Sequence, residues 1–221
     1  MDIFKYSIYN GPNIGIYAKV NDNFIFLPHG FTSAKSKRLS EYLQTDVIIT
    51  SVANTSLLGI LMVANNHGIL LPRTASLDEV NRLKKKTDLN VEILDVKHNA
   101  LGNMMSVNDI GGIISPSLPK ESLNRISDVL DIEVIQKKIA GFHQVGAVMA
   151  TSPTGGVVHP ETDEEDVKII KNILRVNIEP ATINGGLPFL SSGILANSKS
   201  MVVGSLTNGP EILMLTRAFI N

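Results

Sequence analysis

The stretch LLGILMVANNHGILLP, Leu57 to Pro72, holds the plan of one structural unit. Leu57 to Ala64 is an apolar, strand-like run, Asn65-Asn66-His67-Gly68 is turn chemistry, and Ile69-Leu70-Leu71 is a second short strand stopped by Pro72. Two such runs joined by an Asn/Gly turn read as a β-hairpin, and proline is unsuited to continuing a paired strand. Beyond it, Ser76 and Glu79 have the spacing of a capping box, which predicts a helix start. Val80 and Leu83 face inward, and Lys84, Lys85 and Lys86 occupy the last turn, where the helix dipole favours cations. Val91-Glu92-Ile93 then alternates as a third strand. The unit is β-β-α-β.

The strand stop recurs every 44 residues, at Pro28, Pro72, Pro116, Pro160 and Gly204, behind FIFLP, GILLP, GGIISP, GGVVHP and MVVGS. Upstream of each stop lies another glycine: Gly15, Gly59, Gly102, Gly146 and Gly193. Spacing in this range signals a repeat architecture. Unit one turns at Asn21-Asp22-Asn23, with a helix from Ser33 to Leu43 and a strand through Val47 and Ile49. Unit three turns at Asn108-Asp109 and starts its helix near Pro119, packing Leu123, Ile126 and Leu130 at helical spacing. Unit four turns at Ser152 to Gly155, caps its helix with Thr162 and Glu165, and buries Val167, Ile170 and Ile173 or Leu174.

Unit five turns at Asn197-Ser198-Lys199 and starts a helix at Pro210-Glu211, but its third strand is due where the chain runs out. Asp2 to Tyr9 fits the missing place. A ring closed by pairing first and last segments removes both terminal edges. The predicted fold is therefore α/β, a five-bladed pseudo-five-fold propeller of β-β-α-β repeats sealed by its N-terminal strand. It is expected to be one domain, with repeats at roughly 12–54, 55–99, 100–143, 144–186 and 187–221, and a leading strand at 2–10.

Composition narrows the function. With 43% apolar residues, 221 residues can bury a sizeable core. A net charge of −1, from 20 basic and 21 acidic residues, argues against a protein held to nucleic acid mainly by phosphate contacts. Zero cysteines exclude disulfides, thiolate metal sites and thiol nucleophiles. The N-terminus MDIFKYSIYN lacks the pattern of a secretory leader, and no apolar stretch approaches a membrane span. A cytoplasmic monomer with no cofactor, metal or membrane contact is expected.

In this phase and order, Leu57 to Pro72, A-L-G-N (Ala100 to Asn103), V-N-D (Val107 to Asp109) and A-N-S-K-S-M-V-V-G-S-L-T-N-G-P-E (Ala196 to Glu211) resemble the archaeal translation initiation factor six family. The resemblance spans the chain and implies the pentein fold. It also implies binding to the large ribosomal subunit, chiefly to a ribosomal protein beside the sarcin–ricin loop, with at most a minor rRNA contact, so that the small subunit is kept off. The chain has no counterpart of the eukaryotic C-terminal tail, so regulation through it is not expected. The family's ribosome-facing residues follow each unit's first glycine, which here implies Ile16, Ile60, Asn103, Ala147 with Val148, and Ile194. Ile60 stands where eukaryotic relatives have Arg, which puts a cationic contact there in doubt. Asn103 is the leading candidate, the alternative being a strand-end residue bonded to its own backbone.

Further candidates come from the residues themselves. Phe189, in Gly185-Gly186-Leu187-Pro188-Phe189-Leu190, suits an interface anchor or a plug between units four and five. Asn10, Asn54, Asn99, His143 and Asn184 recur at unit ends, as a polar axial ring or as five independent turn residues. His143 is not read as a metal ligand, since its presumed neighbours are Asn. Acidic Asp163 to Asp166 and basic Lys35, Lys37 and Arg38 read as solvated helix faces. Two rival functions remain. Pentein-type guanidino-modifying enzymes need a Cys nucleophile, which is missing here; a general RNA-binding module needs more basic and aromatic residues than this chain has.

Overall fold

Five three-stranded sheets make up the molecule in the computed structural model, which describes residues 1–220. Strand β1 (Asp2–Tyr6) opens the chain. Unit one has a single helical turn α1 (Ile14–Tyr17), strands β2 (Lys19–Val20) and β3 (Phe24–Pro28), helix α2 (Ser33–Leu43) and strand β4 (Asp46–Thr50). Unit two repeats this order with α3 (Leu58–Leu61), β5 (Val63–Ala64), β6 (Gly68–Pro72), α4 (Leu77–Lys86) and β7 (Asn90–Leu94). Unit three follows with α5 (Leu101–Met104), β8 (Met105–Val107), β9 (Gly111–Ile114), α6 (Ser122–Leu130) and β10 (Glu133–Gln136). Unit four has β11 (Met149–Ser152), β12 (Gly155–Val158), α7 (Glu164–Leu174) and β13 (Ile178–Pro180). Unit five has a 3-10 turn (Leu190–Gly193), β14 (Ile194–Ala196), β15 (Ser200–Gly204) and α8 (Gly209–Phe219).

In every sheet the first two strands form an antiparallel hairpin and the third lies parallel to the second; in units one to four the helix carries the chain over to it. In unit five that third strand is β1, paired parallel to β15 from Asp2 opposite Ser200 to Tyr6 opposite Gly204. The inner strands run round the axis in sequence, and β14 returns to lie beside β2. The ring is closed by its own N-terminus.

Packing explains why no unit stands alone. Each apolar cluster is shared by two neighbours: Phe26 and Ile48 of unit one pack with Met62, Ile69 and Leu71 of unit two. At the closing joint, Leu195 and Val202 of unit five pack with Ile14, Ile25 and Leu39 of unit one. A unit taken out of the ring would expose half of two cores, so stability is a property of neighbours.

Three sequence expectations need correction. Leu57–Ala64 is not one strand: Leu58–Leu61 is a helical turn and only Val63–Ala64 pair. A short apolar run has no period that separates the two states, and the close contact of Gly59 with unit one decides it. The even spacing of strand stops is looser than it reads, since β9 and β12 end at Ile114 and Val158, ahead of Pro116 and Pro160. The unit-four cap is Asp163, whose carboxylate accepts Asp166 N–H at 2.7 Å; the Thr162 hydroxyl is buried without a partner. The capping box of Ser76 and Glu79 is present as expected, and Asn208 with Glu211 forms another in unit five.

Candidate functional site

At one end of the axis hydrogen bonds join the hairpin turns of units five, one, two and three. In each of four turns an Asn carbonyl oxygen caps its own turn; for Asn65 it accepts His67 N–H at 3.0 Å and Gly68 N–H at 2.9 Å. The same amide reaches the next unit with its Nδ2. Asn21 donates to Asn65 O (2.9 Å), and Asn65 to Asn108 O (3.2 Å) and to Leu130 O (2.7 Å) at the end of α6. Asn108 donates to Leu174 O at 2.8 Å, and Asn197 reaches from unit five to Asn21 O (3.3 Å) and Leu43 O (2.8 Å) of unit one. Helix C-terminal carbonyls lack intrahelical partners, so the amides of Asn65, Asn108 and Asn197 fill acceptors that would otherwise be stranded in a core. Unit four has Ser152 here, and its hydroxyl reaches only Thr154.

At the opposite end the single-turn helices stand shoulder to shoulder. A Cβ added to Gly59 would lie 1.7 Å from Gly15 O, one on Gly102 2.1 Å from Gly59 O, and one on Gly146 2.1 Å from Gly102 O. A Cβ on Gly15 would in turn lie 1.9 Å from Ser191 O. The fifth member of this ring is therefore Ser191 and not Gly193, which packs against Asn184 and Ile183 instead. The residue before each turn, Asn13, Leu57, Ala100 or Phe189, has nearly the same backbone angles (φ −80 to −88) and forms a rim. Gln144 takes that place in unit four. Rim and ring positions carry no charged side chain.

The residues expected on a binding face divide into two groups. Ile16, Ile60, Asn103 and Ala147 are half-buried at this mouth. The Asn103 carbonyl accepts Gly146 N–H at 3.0 Å, while its side-chain amide has no protein partner among the described residues. Val148 and Ile194 belong to the cores, 0% and 6% exposed; Val148 immediately precedes β11 and Ile194 opens β14. Their side chains cannot present a surface. Phe189 is 45% exposed and rests edge-to-face on Phe142 with ring centroids 6.2 Å apart, so it bridges units four and five with one face open.

Asn10, Asn54, Asn99, His143 and Asn184 are not hydrogen-bonded to one another among the described residues. Asn184 Nδ2 donates to Pro12 O at 3.2 Å, Asn54 N–H donates to Glu79 at 3.1 Å, and His143 Nδ1 pairs with Ser117 Oγ at 2.8 Å. The asparagines that link units at the axis are those of the hairpin turns. Among the described residues no cluster of His, Asp or Glu could hold a metal ion, and no helix is long and apolar enough to cross a membrane.

Residues 3–218 match the model of the eIF-6 family. This chain belongs to the eIF-6 family. Among its relatives are proteins named Translation initiation factor 6 from Cenarchaeum symbiosum (61% identical, 99% of both chains) and Nitrosopumilus maritimus (55%, 100% of both). Another is that of Staphylothermus marinus, 37% identical over 98% of this chain and 97% of the relative.

Two features of this eIF-6 family chain escaped the sequence reading. Glu79 is buried and accepts from Ser51 Oγ (2.8 Å), Ala53 N–H (3.0 Å), Asn54 N–H (3.1 Å) and Ser76 N–H (2.9 Å). Glu211 does the same in unit five for Thr182 Oγ1 (3.0 Å) and the N–H groups of Gly185, Gly186 and Asn208. Each carboxylate locks a loop in left-handed backbone, Ala53-Asn54 or Gly185-Gly186, that leads to the rim. Burial pushes both pKa values up, but the hydrogen bonds outweigh it and hold them below 4.5. The capping-box spacing was visible in sequence; the second set of bonds was not.

Proposed function

We propose that the chain acts as a translation initiation factor by binding the large ribosomal subunit through the glycine-ring mouth and so keeping the small subunit off. Membership of the eIF-6 family supports the ribosomal assignment. The observation that carries the choice of face is its chemistry: an uncharged rim with half-buried Ile16 and Ile60, open Leu57 and Phe189, and an uncommitted Asn103 amide. Such a surface suits a protein partner, here a ribosomal protein near the sarcin–ricin loop, better than phosphate backbone, with rRNA contact confined to the margin. The rigid ring acts as a monomer in the cytoplasm by occupancy alone. The sequence has no cysteine, so it lacks the nucleophile of the guanidino-modifying relatives of this architecture.

Sedimentation of archaeal subunits tests the proposal. Adding the protein should make it co-migrate with the large particle and deplete joined ribosomes. Ile60→Asp and Phe189→Ala should each weaken binding by about tenfold or more without lowering the melting temperature. Co-migration with the small subunit, or undiminished binding by both variants, would defeat the assignment of partner or of face.

A further inference from the structure

Between the hairpin turns and the glycine ring the axis holds a cavity of about 70 Å³, walled by the inner strands of all five units. Its walls are small or neutral except at one residue. Lys19 is the sole ionisable residue lining it. The places matching Lys19 in the other units hold Val63, Ser106, Ala150 and Leu195, so the cation is no part of the repeat. Lys19 is half-buried in the cavity wall, and desolvation lowers its pKa to about 8.

No carboxylate of the described residues pairs with Lys19. Asp22 and Asp109 border the axis at the hairpin mouth, but Asp22 accepts Ser198 N–H at 2.7 Å and Asp109 accepts from Asn66 at 2.9 and 2.7 Å. The other polar side chains of the wall are Ser106, Thr151 and Ser191; the Thr151 hydroxyl donates to Val107 O at 2.9 Å and Ser191 to Ala147 O at 3.4 Å, while Ser106 Oγ lies 3.3 Å from Thr151 Oγ1. An ammonium drawn out of water without a counter-ion is costly, and an anion beside it offsets that cost. A cavity of this size admits an ion of a few atoms and not a nucleotide or a peptide.

We propose that the axial cavity is a binding site for a small inorganic oxyanion of the phosphate class, with Lys19 Nζ as its counter-charge and the Ser106 hydroxyl as a further donor. The site lies behind the glycine-ring mouth, whose Gly15, Gly59, Gly102, Gly146 and Ser191 also wall it. Inorganic phosphate titrated into the full chain at pH 7 and constant ionic strength, read by phosphorus NMR line broadening, should show saturable binding. Lys19→Met should weaken it by about tenfold or more, the effect of removing one charge-assisted hydrogen bond. Lys5→Met, at an exposed cation on β1, should leave it unchanged. In phosphate-free buffer Lys19→Met should melt above the parent protein, and phosphate should narrow the gap. Absence of saturable binding, equal binding by Lys19→Met, or an equal loss in Lys5→Met overturns the site.

Discussion

Glu79 illustrates how much one side chain can hold in this fold. It caps the N-terminus of α4 and at the same time takes three donors from the loop that ends unit one. Glu79→Gln keeps the shape but turns half of the acceptor into a donor facing N–H groups. The expected cost is about 2 kcal/mol, measurable by urea denaturation, since hydrogen bonds to a charged group exceed neutral ones. The pH dependence follows in sign. A carboxylate held below its ordinary 4.5 adds stability that is complete above that value and is lost as pH falls through the lower folded value. Acid denaturation of the parent should therefore be steeper below pH 4.5 than that of Glu79→Gln or Glu211→Gln, and parallel curves would show that the clamps are not ionised. Residues of this kind were half legible beforehand. Ser76 with Glu79 announces a helix start from spacing alone, because a cap is local; the bonds to Ser51, Ala53 and Asn54 are tertiary and leave no local mark. Asn65 shows the same limit: its turn was legible, its reach to Leu130 O was not.

Among elements, the single-turn helices depart furthest from expectation. They were legible as apolar runs containing a glycine, and the glycine, not the apolar period, turns out to set their conformation. Only a residue without Cβ lets one turn rest against the backbone of the next, so α1, α3 and α5 can stand in contact round the mouth. Gly59→Ala places a methyl 1.7 Å from Gly15 O and 2.7 Å from Ala18 O, and neither backbone atom can give way without moving its unit. A loss of about 3 kcal/mol is expected by urea denaturation. Gly209→Ala, at the start of α8 where no atom lies within 4 Å of the added methyl, should be close to neutral. Near-equal effects at the two sites would mean that the ring is looser than its contacts imply. Unit five kept its place in the ring hidden because Ser191 stands where the other units have Gly, while Gly193 nearby offered a false match. Long helices were easier to read: α2 spans Ser33–Leu43 as its pattern indicates, because amphipathic period and cap agree there.

For the whole molecule the decisive contact is the longest in sequence. β1 pairs with β15, and Phe4 stacks on Tyr42 of α2 with ring centroids 4.1 Å apart, so the first residues bind units five and one together. Met1 packs in the core that also holds Phe219, and Met1, Phe219 and Ile220 border one surface cavity, which brings the two described ends close together. The closure was legible because unit five lacked a strand and the N-terminal segment had no unit, an arithmetic of parts that needs no side-chain detail. It makes a strong demand on connectivity. If β1 acts only as the third strand of unit five, covalent attachment to unit one is dispensable. A circular permutant beginning at Pro12, with residues 1–11 joined after the C-terminus by a short Gly/Ser linker, should fold to a monomer with a single cooperative transition. Its sedimentation with ribosomal subunits should also match that of the parent. Deleting residues 1–6 outright should instead expose the β15 edge, lower the melting temperature and promote self-association by strand pairing. A permutant that folds only as an oligomer, or a deletion that melts like the parent, would show that the ring is held shut by something other than its leading strand.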